Sequence, residues 1–238
     1  MQIEAVSRAL EANNFDGRVA KSRAAATEAI LSLIPRDATV GVGDSATIRQ
    51  IGILKRLEER GTTLLNPFSR ELTTDPSKRD MRHELSRVVF TTDVLITGTN
   101  AVTLDGKLIN VDAVGNRVAA MIFGPKQVII VVGRNKIVTD VDAALHRIKN
   151  IIAPYHARTK EFATPCARTG RCSDCDSLDR LCSVTTILEK RPWRTAMTIL
   201  LVDEDLGLSW DETWPPKRIR KIQSNYEGVT WVFARSSR

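Results

Sequence analysis

All four cysteines of the chain, Cys166, Cys172, Cys175 and Cys182, lie in one 17-residue stretch. Four thiols confined in this way read as soft metal ligands; in a cytoplasmic protein they are poorly placed to persist as disulfides. Structural zinc is usually taken by two short ligand pairs, and only Cys172 and Cys175 are spaced as C-x-x-C here. The flanking gaps of five and six residues favour one loop wrapped around a [4Fe–4S] cluster, with Zn2+ as the alternative. Arg168, Arg171 and Arg180 would offset the charge of four thiolates around either metal. Zinc would be structural, pinning a loop with little apolar content of its own.

A second set of chemistry-bearing residues begins at Gly43, Asp44, Ser45 and Thr47. They follow a short apolar run, Thr39 to Val42, and precede Ile48, Ile51, Leu54 and Leu57 at helical spacing, with Gly61 placed to end the helix. A glycine turn between strand and helix presents backbone N–H groups where the helix dipole favours anions. Ser45 and Thr47 add hydroxyls, and Asp44 adds a carboxylate for a sugar hydroxyl or a proton. The plainer reading makes Asp44 or Ser45 a helix cap.

Three further clusters share this character: Thr97-Gly98-Thr99-Asn100, Asn110-Val111-Asp112 and Gly115-Asn116-Arg117. In a parallel sheet such turns fall beyond the C-terminal strand ends, where these folds bind ligands. Asn100, Asp112, Asn116 and Arg117 are therefore expected to converge with the Gly43 turn on one pocket for a small anion or cofactor. Arg117, with its planar fork, is the candidate partner of a carboxylate. His83 and His146 read as solvated helix surface; His156, ten residues before Cys166, touches the cluster region only in a minor reading. Lys126, Asn135 and Lys136 flank the strongest strand, and Lys136 reads as a solvated strand-end lysine, with contact to an acidic substrate group as the alternative. The chain carries no Ser–His–Asp signature, no P-loop and no full G-x-G-x-x-G fingerprint.

The elements that must hold these residues alternate. Strands are expected at Thr62–Asn66, Asp93–Gly98, Gln127–Gly133, Thr198–Asp203 and Gly228–Phe233. Helices are expected over residues 1–35, Ser77–Val88, Asn116–Phe123 and, from a cap at Thr139–Asp142, through Ile152. Asp105-Gly106 marks a hairpin. Alternation of this kind predicts an α/β fold, a mainly parallel sheet with helices on both faces. The expected organisation is an N-terminal helical segment, 1–35, and an α/β domain, 36–238, with a cysteine-rich metal-binding excursion at 155–194.

With 238 residues, 42% of them hydrophobic, the chain can bury a core. The longest apolar run, Val118–Phe123, is too short to span a bilayer, and no leader opens the chain, so the expected location is cytoplasmic. The net charge of +7 is concentrated at the C-terminus, where Lys217, Arg218, Arg220, Lys221, Arg235 and Arg238 face one acid, Glu227. No nucleic-acid motif accompanies it, so an anionic small molecule or partner is favoured over RNA.

The runs VGVGDSATIRQIG and TGTNAVTLDGKLINVDAVGNRVAAMIFGPKQVIIVVGRNKIV resemble the LUD-domain family, named for lactate utilisation, over roughly residues 15–205. The resemblance implies a fold similar to ribose-5-phosphate isomerase, glucosamine-6-phosphate deaminase and the coenzyme A transferases. It also implies a part in oxidising L-lactate to pyruvate beside partner subunits that carry iron–sulfur clusters. Many members lack the four cysteines, so a member with its own cluster would pass electrons itself. The preferred expectation is a redox-associated subunit of a 2-hydroxy-acid oxidation system, free to form a homo-oligomer. The alternatives are a regulatory module that binds a metabolite and carries structural zinc, and an acyl- or phospho-group enzyme using Asp44 or Asp112.

Overall fold

A computed structural model describes residues 2–234 of the chain, so Arg235 and Arg238 of the basic C-terminus lie outside the described residues. The elements run α1 (Gln2–Ala12), β1 (Asp16–Ala20), α2 (Arg23–Leu33), β2 (Val40–Val42), α3 (Ala46–Ile51), α4 (Ile53–Glu59), β3 (Leu64–Leu65), α5 (Arg70–Thr74), α6 (Arg79–Val88) and β4 (Val94–Gly98). The hairpin β5 (Ala101–Thr103) and β6 (Leu108–Asp112) follows, then α7 (Asn116–Ile122), β7 (Gln127–Gly133), β8 (Ile137–Val138) and α8 (Val141–Arg147). A π turn, Ile148–Ile152, joins α8 to α9 (Ala153–Thr159), and α10 (Pro165–Thr169), β9 (Val184–Leu188), β10 (Ala196–Val202) and α11 (Pro216–Glu227) complete the described chain.

Six parallel strands form the main sheet in the order β1-β10-β7-β4-β2-β3. β7 lies inside it, and its QVIIVVG sequence shows why it can: alternate residues enter different cores. Val128, Ile130 and Val132 pack with α1 and α7 on one face. Ile129 and Val131 pack with Ile30 of α2, Ile48 of α3 and Leu57 of α4 on the other. Each such side chain, fully buried, contributes roughly 1.5–3 kcal/mol. A second sheet, β8-β5-β6-β9, shares Val102 and Leu108 with the α1 side of the core. Its Ala101, Ile109 and Val111 join a third cluster with Ile148, Ile152, Ile222 and Tyr226.

Several sequence expectations are corrected. Residues 1–35 are not one helical segment, because β1 separates two helices and pairs parallel with β10 at the sheet edge. Gly17 permits this passage, since a Cβ there would lie 2.7 Å from the Ser7 carbonyl oxygen. The helix expected to run from Thr47 to Gly61 is broken at Gly52, whose φ of 75° is left-handed. Gly228–Phe233 forms no strand, and its aromatic side chains stack on cations instead. Within the expected cysteine-rich excursion, β9 pairs antiparallel with β6. No helix among the described residues is long and apolar enough to cross a membrane.

Candidate functional site

β2, β4 and β7 all end on the same side of the main sheet, because parallel strands point one way. The residues that follow them wall a cleft of about 1090 Å³. Asp44, Ser45, Thr47, Asn100, Asp112, Asn116 and Arg117 all line it, so turns more than fifty residues apart in sequence do converge. Gly43 lies behind them, donating its N–H to the Ile96 carbonyl at 3.0 Å. A Cβ at Gly43 would stand 2.5 Å from Thr97 Oγ1, and one at Gly98 2.5 Å from Ser45 Oγ, so both glycines allow close approach.

Within the wall Ser45 takes the capping role the plainer reading gave it, and Arg117 departs from its expected one. Ser45 is the N-cap of α3, its Oγ accepting from the Ile48 N–H at 3.4 Å. Arg117 does not offer its fork to the cleft. Nε donates to Asp112 at 3.1 Å; Nη1 donates to the Gly98 carbonyl and Asn110 Oδ1; Nη2 donates to Asn100 Oδ1 and the Val111 carbonyl. All five donors are engaged, so this arginine ties the polar turns together rather than waiting for a carboxylate. Asp112 in turn accepts from the Val114 and Gly115 N–H groups, fixing the entry to α7.

Lys136 is the residue that sequence reasoning misplaced. It is only 6% exposed, yet it lines the cleft. Nζ donates to Thr47 Oγ1 at 2.9 Å and to the Thr99 carbonyl at 2.8 Å. No carboxylate stands within ion-pair distance of it among the described residues. Burial, and next the nearby Arg117, depresses the amine to about 7. Asn135 holds the position: its Nδ2 donates to the Ser209 carbonyl and its Oδ1 accepts from the Leu206 N–H, both at 2.9 Å. Gly207, with φ 71°, brings the 206–209 segment over the amine, and a Cβ there would sit 2.9 Å from Nζ.

The rest of the wall is basic. Arg49, Arg79, Arg82, Arg87, Arg117, Lys136, Lys160 and Arg180 line the cleft, against Asp44, Asp80, Asp112 and Asp179. Burial works to raise the Asp44 carboxyl, but Arg49, Lys160 and His156 outweigh it and hold it below the ordinary range. Asp44 is ion-paired to Arg49, and Asp112 to Arg117. Burial lowers Lys160 to about 8. His156 lines this cleft too, with Nδ1 bonded to the Tyr226 hydroxyl. Burial, with Lys160 adding to it, takes His156 down to about 4, so it is neutral near pH 7. The C-terminal segment closes one side: Trp231 stacks on Arg49 with 4.6 Å to the ring centroid, and Phe233 on Lys160 at 3.6 Å. The signal for Lys136 is its place just past β7; its burial comes from a segment seventy residues later, which local sequence does not show.

The four cysteines are half-buried free thiols. They lie in mutual electrostatic range: burial raises the Cys182 thiol, Arg180 opposes this, and Cys172, Cys175 and Cys166 reinforce it. The Asp174 N–H reaches Cys172 Sγ at 3.4 Å, and Arg180 staples the loop through the Cys175 and Cys182 carbonyls. The donor set thus fits a thiolate-bound metal in kind. Among the described residues, however, no three His, Cys, Asp or Glu side chains are gathered closely enough to hold one ion. The same loop supplies Leu178, Asp179, Arg180 and Leu181 to the cleft lining, a juxtaposition the sequence did not reveal.

A crystal structure of a DUF162 family protein from Deinococcus radiodurans, at 1.70 Å resolution, is similar at 17% identity with a TM-score of 0.47. The match covers 84% of this chain and 96% of that one. No curated protein matches the chain. The LUD domain model matches residues 3–202, most of the length and every strand of the main sheet. The chain belongs to the LUD-domain family.

Proposed function

We propose that this LUD-domain chain serves L-lactate utilisation by binding a 2-hydroxy acid, or the 2-oxo acid formed from it, in the basic cleft. One observation carries the reading: eight Arg and Lys side chains line the cleft against four Asp, and although Arg49 and Arg117 pair with two of these and Arg87 and Arg180 with Glu84 and Asp174, the lining keeps a cationic excess. Such a surplus in a partly desolvated hollow favours a small carboxylate by several-fold over a neutral analogue. Arg82 is better placed to meet it than Arg117, whose donors are spent. The four-cysteine loop extends the proposal: Cys166, Cys172, Cys175 and Cys182 would hold a [4Fe–4S] cluster, which when bound supplies one-electron transfer. Partner subunits with iron–sulfur clusters would then accept the electrons.

The test is calorimetric titration of the full chain, purified without oxygen, with L-lactate and pyruvate, alongside elemental analysis and a visible spectrum. Saturable binding that Arg82→Ala weakens about tenfold, together with iron and a thiolate-to-iron absorption band, supports the reading. Absence of binding to either acid overturns it. Stoichiometric zinc without a chromophore would replace the redox part by a ligand-binding module with a structural metal.

A further inference from the structure

We propose that Lys136 is a nucleophile, forming an imine with the carbonyl carbon of a small 2-oxo acid held in the cleft. The inference rests on the preceding reading, whose site it deepens from an anion-binding hollow to one that makes a covalent bond.

The geometry carries it. An amine attacks a carbonyl only when unprotonated, so a surface lysine in water is a poor nucleophile near neutral pH. Lys136 is taken out of water by Gly207 and the 206–209 segment, yet its side chain lines the cleft. An ordinary buried lysine is neutralised by a carboxylate; this one meets a hydroxyl and a carbonyl oxygen, Thr47 Oγ1 and Thr99 O. Two of the three ammonium protons are bound by these acceptors, which fix the nitrogen without stabilising a charge as a carboxylate would. The depression of the amine to about 7 is consistent with that geometry. The cationic wall meets the carboxylate of the incoming acid and would also favour an electron-poor adjacent carbonyl. Asn135, bonded on both sides to the 206–209 segment, sets the nitrogen's place.

The step balances without an outside oxidant. The Lys136 nitrogen bonds to C2 of the 2-oxo acid as the C=O π bond breaks. The oxygen takes both protons that leave the nitrogen and departs as water, and the C=N bond forms.

The test uses the full-length protein with pyruvate as the probe and sodium cyanoborohydride to reduce any imine to a stable secondary amine. Mass spectrometry after proteolysis is expected to find one carboxyethyl group, on Lys136. Lys136→Arg keeps a cation and donors but cannot form the imine, and should lose the adduct at least tenfold while circular dichroism shows the variant still folded. Binding of pyruvate without an adduct, or an adduct only on other lysines, overturns the inference and leaves the binding function standing. Absence of both binding and adduct overturns the two together.

Discussion

The segment after β7 and the cysteine loop border the same cleft but are built in opposite ways. Around Lys136 the supporting bonds are long-range: Asn135 is fully buried and joins Leu206 and Ser209, residues 71 and 74 positions away. In the cysteine loop the bonds are local. Ser177 reaches the Ala163 carbonyl across 14 residues, and Arg180 reaches Cys175 and Asp174 across 5 and 6. Leu178 of the same loop is 82% exposed. One wall of the cleft therefore forms only when the whole core forms. The other can rearrange while the core stands, as a loop that closes on a metal would have to. The contrast teaches where precision is stored: at the wall that holds the amine, not at the one that carries the thiols.

The strongest way to break this comparison is to cut the long-range support. Asn135→Leu leaves the Leu206 N–H and the Ser209 carbonyl buried without partners, and is expected to cost about 2–4 kcal/mol of unfolding free energy. Urea unfolding measures it; a loss below about 1 kcal/mol would show that the wall is not anchored there. Gly207→Val should cost a comparable amount, because its Cβ would crowd Thr47 Oγ1 at 2.5 Å and a branched residue resists a φ of 71°.

The next test concerns the amine itself. Lys136 titrates near 7 when folded and near 10.5 when unfolded, so the unfolded chain binds the extra proton between those values. The penalty of burying the charge is fully present below pH 7, and stability rises as pH climbs from 7 towards 10.5. Lys136's share of that rise approaches about 1.4 kcal/mol per pH unit. Lys160, lowered to about 8, adds in the same direction over a narrower window. Lys136→Met should remove its own share and leave the protein more stable at pH 7. Equal slopes for the two proteins in denaturant titrations from pH 7 to 10 would place Lys136 in water.

His156 reports on the acid side. Its folded value of about 4 lies below the ordinary 6.5, so stability falls as pH drops from 6.5 to 4 while the unfolded chain takes up a proton. Discounting for its partial exposure, about 1–2 kcal/mol is lost across that window. His156→Gln should flatten the loss; an unchanged acid limb would mean that other groups govern it.

Much of this was legible in advance, for identifiable reasons. β7 declared itself through five consecutive apolar residues, and Gly43, Asn100, Asp112 and Asn116 through their place after strands, because parallel topology puts such turns at one end. What escaped depended on distant chain. β1 is short and half polar, since an edge strand buries little, and so passed for helix. Gly228–Phe233 has strand composition, but Trp231 is drawn to Thr73 and Arg49 and leaves the sheet unjoined. Arg117 was identified as a site residue for its fork, and the structure spends that fork on five internal acceptors. Lys136 looked solvated because nothing near it in sequence announces the segment that covers it.

The smallest expected effect is at the other wall. Arg180→Ala removes the bonds to the Cys175 and Cys182 carbonyls and the ion pair with Asp174, and of these residues only Cys182 packs against an apolar core. Global unfolding should change by less than about 1 kcal/mol, since the pair is solvent-screened. The effect belongs elsewhere. Without the staple, Cys175 and Cys182 lose the constraint that holds the loop, and retention of the proposed metal against a chelator should fall several-fold. A large drop in global stability would mean that the loop is part of the core after all, and that the two walls differ in composition but not in the way they are held.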